Sequence, residues 1–170
     1  MGIKELKIEL KKMHQEDLID LILDLYLKNK PVKEQLDYYF NPNEQELLNS
    51  YKKKVLEAFF PKRGDQFHLK LGKQAISDYK KLKPTTASLI DLMTYYVECG
   101  VELTMQYGDI NESYYSSLES VYQDIMNLIS KNNLFEKFRD RSFEIVERTK
   151  NIGWGFHDFL GDAYYQTFEE

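Results

Sequence analysis

Two clusters of residues in this chain have side chains suited to chemistry. Glu98 and Glu102 stand one helical turn apart in an apolar stretch, and His157, Asp158 and Asp162 follow one another near the carboxyl end. Carboxylates and an imidazole from facing helices are what a metal-dependent enzyme in a helical bundle would use. The di-metal pattern wants Glu-x-x-His on two helices, and that spacing is absent. A buried hydrogen-bond network or a solvated stripe accounts for the same residues, so a metal site at Glu98, Glu102, His157 and Asp162 ranks last among the candidates. His157 and Asp158 point about 100° apart on a helix and do not face each other as an acid–base pair.

The second cluster is basic. Residues 52–83 carry ten Lys and Arg against three acids, a net +7, whereas residues 84–130 carry seven acids and no Lys or Arg, a net −7. Lys62, Arg63, Lys70, Lys73 and Lys80 are the candidates for a phosphate or nucleic-acid patch. Phe59, Phe60, Phe67 and Tyr79 interleave with them, as stacking platforms for single strands would. The competing reading is mutual neutralisation: consecutive helices tend to be neighbours, so the basic block would pack beside the acidic one. An overall net charge of −5 favours that second reading.

Cys99, the only cysteine, adjoins Gly100 in the most apolar stretch, which predicts a buried, inert thiol. The string Ile152 to Asp162 (IGWGFHDFLGD) flanks the single tryptophan with Gly153 and Gly155. The expectation is that Trp154 plugs the core while His157 bonds a carboxylate or a backbone group. His14 and His68 read as surface residues. P-loop, Rossmann, HExxH, GxSxG and EF-hand strings are absent, and no cofactor is expected.

These residues need elements to hold them, and the periodicity is helical throughout. Leu6, Leu10 and Met13 mark a short opening helix; Gln15 to Asn29 carries Leu18, Leu21, Ile22 and Leu25 on one face, with Asp17, Asp20, Asp24 and Lys28 as its polar stripe. Pro31 opens a third helix that runs to Phe40. Asn41-Pro42-Asn43-Glu44, Asp109 to Glu112 and Asn133 to Glu136 each read as an amino-terminal cap followed three residues on by glutamate. Thr86 to Tyr107 is the central helix, with Asp91, Glu98, Glu102 and Gln106 on its one polar stripe. Pro61 to Gly72 is the one segment expected to be non-helical, a loop or short extended piece.

Short breaks between helices imply antiparallel helical hairpins. The expected class is all-α, as a degenerate tetratricopeptide-like or α-solenoid array, with a compact non-repeating bundle as the alternative. The Tyr-Tyr doublets at 38, 95, 114 and 164 show no fixed period. A chain of 170 residues with 42% hydrophobic and 14% aromatic residues suffices for one domain spanning 1–170. A single thiol and no apolar leader lead to the expectation of a cytoplasmic protein without disulfides.

Five strings taken in order, LIDLILDLYLKNKPVKE, NPNEQELLNSYKK, FFPKRG, AISDYKKL and IGWGFHDFLGD, resemble an uncharacterised family of small bacterial all-helical proteins. That family is a domain of unknown function covering essentially the whole chain. The resemblance implies a complete unit and transfers no catalytic residue. His14 departs from it, standing where a serine cap belongs. The functional expectation is therefore a non-enzymatic helical module that holds a protein or peptide. A weak nucleic-acid or phosphate binder using residues 52–83 is the alternative; oligomeric state is left open.

Overall fold

The computed structural model describes residues 1–64 and 66–169, and among them the chain forms nine helices and no strand. They are α1 (Ile3–Leu10), α2 (Gln15–Lys28), α3 (Lys30–Phe40), α4 (Glu44–Phe59), α5 (Leu69–Lys81), α6 (Thr86–Tyr107), α7 (Glu112–Asn132), α8 (Phe135–Arg148) and α9 (Phe156–Phe168). The chain is all-α, as its periodicity requires. It divides into two compact units, Met1–Asn43 and Glu44–Glu170.

In the first unit α2 and α3 form a hairpin turned at Asn29, whose side chain donates to the Leu25 carbonyl. Tyr26 of α2 donates to Asp37 of α3 across 2.9 Å, and Lys33 lies 5.3 Å from the Tyr26 ring. His14 occupies the cap position of α2 without a side-chain cap bond. No residue of this unit is buried.

In the second unit α6 is the element around which the others pack, with twelve buried positions from Leu89 to Thr104. Thr85 caps it through its hydroxyl, which accepts the Ser88 N–H, and Gly108 closes it at φ 85°, a conformation that favours glycine. Side-chain partners fix the directions of its neighbours. Phe59 meets Tyr96 and Lys52 meets Asp91, so α4 runs alongside α6 in the same sense. Tyr114 donates to the Gly100 carbonyl while Ser117 lies 3.4 Å from the Tyr96 hydroxyl, so α7 runs antiparallel to α6. Phe143 against Tyr164 and Arg139 against Phe168 make α8 and α9 antiparallel in turn. The hairpins α4/α5, α6/α7 and α8/α9 therefore follow one another, with α4, α6 and α8 side by side.

Three of the expected helix starts are shifted. Asn41 closes α3 rather than opening α4, and the Glu44 carboxylate reaches forward to accept the Thr85 N–H at 2.6 Å. Asn111, not Asp109, caps α7 by accepting the Tyr114 N–H, and Asp109 accepts the Tyr115 hydroxyl instead. Asn133 is the left-handed terminator of α7 (φ 53°) and α8 begins two residues later. Asn41 and Asn133 close the preceding helix through their backbone N–H groups, while the Glu44 and Asp109 side chains bond elsewhere, a competition that local spacing does not display.

The non-helical segment is also shorter than expected. Residues 69–72 belong to α5, because the Leu71 and Gly72 amides find the His68 carbonyl and Gly72 lets the Tyr96 ring close in. A Cβ at Gly72 would stand 2.7 Å from that ring. Trp154 does not plug the core: it is 57% exposed, in a left-handed turn (φ 63°) before Gly155. Phe156, two residues on, is the buried aromatic, stacked at 5.0 Å on Tyr115.

α6 and α7 approach closely at Gly100, where an added Cβ would lie 2.6 Å from both methyl carbons of Leu118. Leu118 is fully buried and has nowhere to swing. Gly100→Ala is expected to cost about 1–3 kcal/mol by overpacking, read as a lowered midpoint in thermal or urea denaturation.

Candidate functional site

The carboxylates of α6 face a pair of arginines on α8. Arg141 grips Glu98 with two parallel bonds, Nε to Oε1 at 2.6 Å and Nη2 to Oε2 at 2.8 Å. Its third nitrogen reaches Asp91 at 2.5 Å, and Lys52 of α4 closes on the same Asp91 oxygen at 2.8 Å. One turn beyond, Arg148 donates to Glu102 at 2.6 Å. Forked arginine–carboxylate bonds are stronger and more directional than single ones, so this cluster fixes the register of α4, α6 and α8.

The electrostatics follow from that geometry. Partial burial acts to raise the Asp91 carboxyl, but the bonds from Arg141 and Lys52 outweigh it and hold it below the usual carboxylate range. Burial likewise acts to lower Arg141, and Glu98 and Asp91 outweigh it, leaving the guanidinium charged. Next to Glu98 on α6, burial pushes the Cys99 thiol up to about 12. A thiol that far from ionising is inert, as its surroundings in the sequence suggested.

The four residues considered for a metal are therefore not assembled. Glu98 and Glu102 turn to α8, while His157 turns to the end of that helix. Its Nδ1 donates to the Val146 carbonyl at 3.1 Å and lies 3.0 Å from the Thr149 hydroxyl, which fixes the proton on Nδ1. Its partner is a backbone group, one of the two foreseen. Asp162 is exposed on α9. Among the described residues no group of three or more His, Cys, Asp or Glu stands close enough to hold a metal ion.

The basic and acidic blocks meet at Lys52 and Asp91, but Glu98 and Glu102 take their cations from α8. Sequence reasoning missed Arg141 and Arg148. Their seven-residue spacing on α8 was the available signal, since it repeats the seven-residue step from Asp91 to Glu98 on α6. Within the basic block, Lys62 lies 3.7 Å from Glu57 and Lys81 bonds Asp78, while Lys70 and Lys80 are exposed.

Of the five basic candidates, Lys70 and Lys73 come together at a surface hollow. It measures about 720 Å³ and is lined by Phe67, His68, Leu69, Lys70, Leu71, Lys73, Ser113 and Ser117, from the start of α5 and the start of α7. Leu71 is 59% exposed at its edge, and Phe67 leans edge-on against Tyr114 at 5.3 Å. Among the described residues that line it, none carries a carboxylate. Lys62 and Arg63 sit in the α4–α5 link, and Lys80 lies about 15 Å along α5 from Lys70. The proposed stacking platforms do not form one: Phe59 and Tyr79 are buried, against Tyr96 and Tyr51 respectively.

The arginine–carboxylate cluster sets a pH dependence. Asp91 titrates lower in the folded chain than in the unfolded one, so its contribution is full above about pH 4 and is lost as pH falls through the depressed value. Arg141→Ala should cost about 2–4 kcal/mol near neutrality, because it strands partly buried carboxylates. The gap between variant and wild type should narrow as denaturation curves are repeated from pH 6 towards pH 3.

No curated protein and no solved structure shows a significant match to this chain. A family model matches residues 1–169, a span that takes in every described helix and the hollow. The chain belongs to that family, a family of unknown function designated DUF6155.

Proposed function

We propose that the protein is a non-enzymatic helical interaction module whose second unit binds an acidic, apolar peptide segment in the hollow between α5 and α7. One observation carries this reading. Phe67 within the hollow and Leu71 at its edge supply apolar surface beside Lys70 and Lys73, and none of the described lining residues is a carboxylate. Such a surface favours a ligand with alternating apolar and acidic side chains, the apolar groups giving affinity and the lysines selecting charge. Ser113 and Ser117 add hydroxyls that can bond a peptide backbone. The side-by-side hairpins α4/α5 and α6/α7 support it further, since they hold the two walls of the hollow on regular helices.

A peptide suits the hollow better than a single-stranded nucleic acid. Strand binding draws on free aromatic faces, and here Phe59 and Tyr79 are buried while Phe67 is engaged with Tyr114.

Fluorescence polarisation with a labelled peptide alternating Leu or Phe with Asp or Glu tests the reading. Binding is expected, and Lys70→Glu combined with Lys73→Glu should weaken it at least tenfold, about 1.4 kcal/mol. Lys80→Glu, outside the hollow, should leave it unchanged. A peptide that fails to bind, or binds equally well to the double variant, sinks the proposal. Tight salt-sensitive binding of labelled oligo-uridine in its place would move the assignment to phosphate recognition.

A further inference from the structure

The first unit presents a different problem. Its 43 residues, Met1–Asn43, include none that is buried. Chains of about this size seldom build an adequate core alone and use metals, disulfides or association instead. The only cysteine lies elsewhere, and no metal-binding cluster stands among the described residues. Association is what is left. Helix α2 shows where: it is apolar over most of its circumference, yet Leu21 is 38%, Ile22 47% and Leu25 41% exposed. A helix of that kind is normally surrounded by others, and within this unit α3 covers only part of it.

The charges on α2 indicate the occupant. Leu18, Leu21 and Leu25 follow the three-and-four spacing of a packing seam, and Asp17 and Lys28 bound the seam at its two ends. Asp17 and Lys28 are equidistant from the Ile22–Leu23 peptide, about 16 Å apart along the axis. An antiparallel copy related by a two-fold axis at that point brings Lys28 opposite the copy's Asp17, and the reverse. The surface is thus complementary to itself, the requirement of an isologous interface. A lipid surface fits poorly, because Asp17, Asp20 and Asp24 line the polar stripe and anionic headgroups repel them.

We infer that the protein self-associates through α2, as an antiparallel two-fold dimer seamed by Leu18, Leu21 and Leu25 and registered by reciprocal Asp17–Lys28 pairs. Lys28 already bonds Asp24 of its own helix at 2.6 Å, on an exposed side of the chain, so the second carboxylate joins an existing pair. This is independent of the hollow between α5 and α7.

Light scattering and sedimentation equilibrium on the full chain over rising concentration provide the test. A dimer is expected. Leu21→Glu with Leu25→Glu should leave a monomer, with helix content checked by circular dichroism so that misfolding is recognised. Asp17→Lys and Lys28→Asp should each raise the dimer dissociation constant about tenfold, and the double swap should restore it. Rescue of that kind cannot come from a merely structural role of either residue. A wild-type monomer at every concentration overturns the inference, as does a dimer indifferent to Leu21 and Leu25 or a swap without rescue. Two further outcomes would name another occupant and equally overturn it: flotation of a monomer with phosphatidylcholine vesicles, or cross-linking from a Leu25→Cys variant to the chain's own second unit. The native thiol at Cys99 is buried and does not interfere.

Discussion

Arg141 holds α8 to α6 through a forked bond to Glu98 and a third bond to Asp91, which Lys52 of α4 also takes. The second unit depends on that arrangement for a physical reason. An almost wholly apolar helix such as α6 can be enclosed at many rotations and offsets, because hydrophobic contact has little direction. Charged groups that lose part of their water are far less tolerant: a small slip leaves a carboxylate without its cation. The cluster therefore selects one register among many that would bury similar area. Once α4 and α8 are seated on α6, their hairpin partners α5 and α9 are placed too. The hollow between α5 and α7 is a downstream product of this register, since its two walls hang from α4 and α6.

Elements and class were readable because helical periodicity is a local property. The faces of α6, its bounds at Thr86 and Tyr107 and the opening of α3 at Pro31 all came from residues within a few positions of one another. Starts marked by Asn41, Asp109 and Asn133 were misplaced because the two asparagines end the preceding helix through their backbone and Asp109 is claimed by Tyr115, none of which spacing shows. Glu44 bonding Thr85 across the sequence is another such case. Trp154 and Phe156 make the point within three residues: both are large aromatics, and a left-handed turn decides which faces inward. The site was legible in part. Lys70 and Lys73 were named from composition, but nothing linear joins them to Ser113 and Ser117 on another helix. Likewise the acidic stripe was visible and its partners were sought in the wrong block, since the basic segment next in sequence is not the neighbour that neutralises most of it.

The two units divide their labour between order and surface. In the second, six helices surround aromatic side chains that use their hydroxyls inside the core: Tyr114 on Gly100, Tyr122 on Ser142. Buried tyrosines anchored this way restrict how helices can slide, as well as supplying apolar area. The first unit has no comparable interior, and its apolar side chains lie outward along α2.

The same charge cluster bears on how the chain is made. Arg141 lies 43 residues beyond Glu98 and 50 beyond Asp91. A ribosome adding about 5–20 residues per second delivers α6 several seconds before the guanidinium that will neutralise it. During that interval α4, α5 and α7 can close on α6 and Lys52 can take Asp91, but Glu98 and Glu102 still lack the cations that α8 supplies. The nascent protein is thus held short of its final packing until α8 emerges. Its most apolar helix spends that time carrying hydrated carboxylates that later lock it in place.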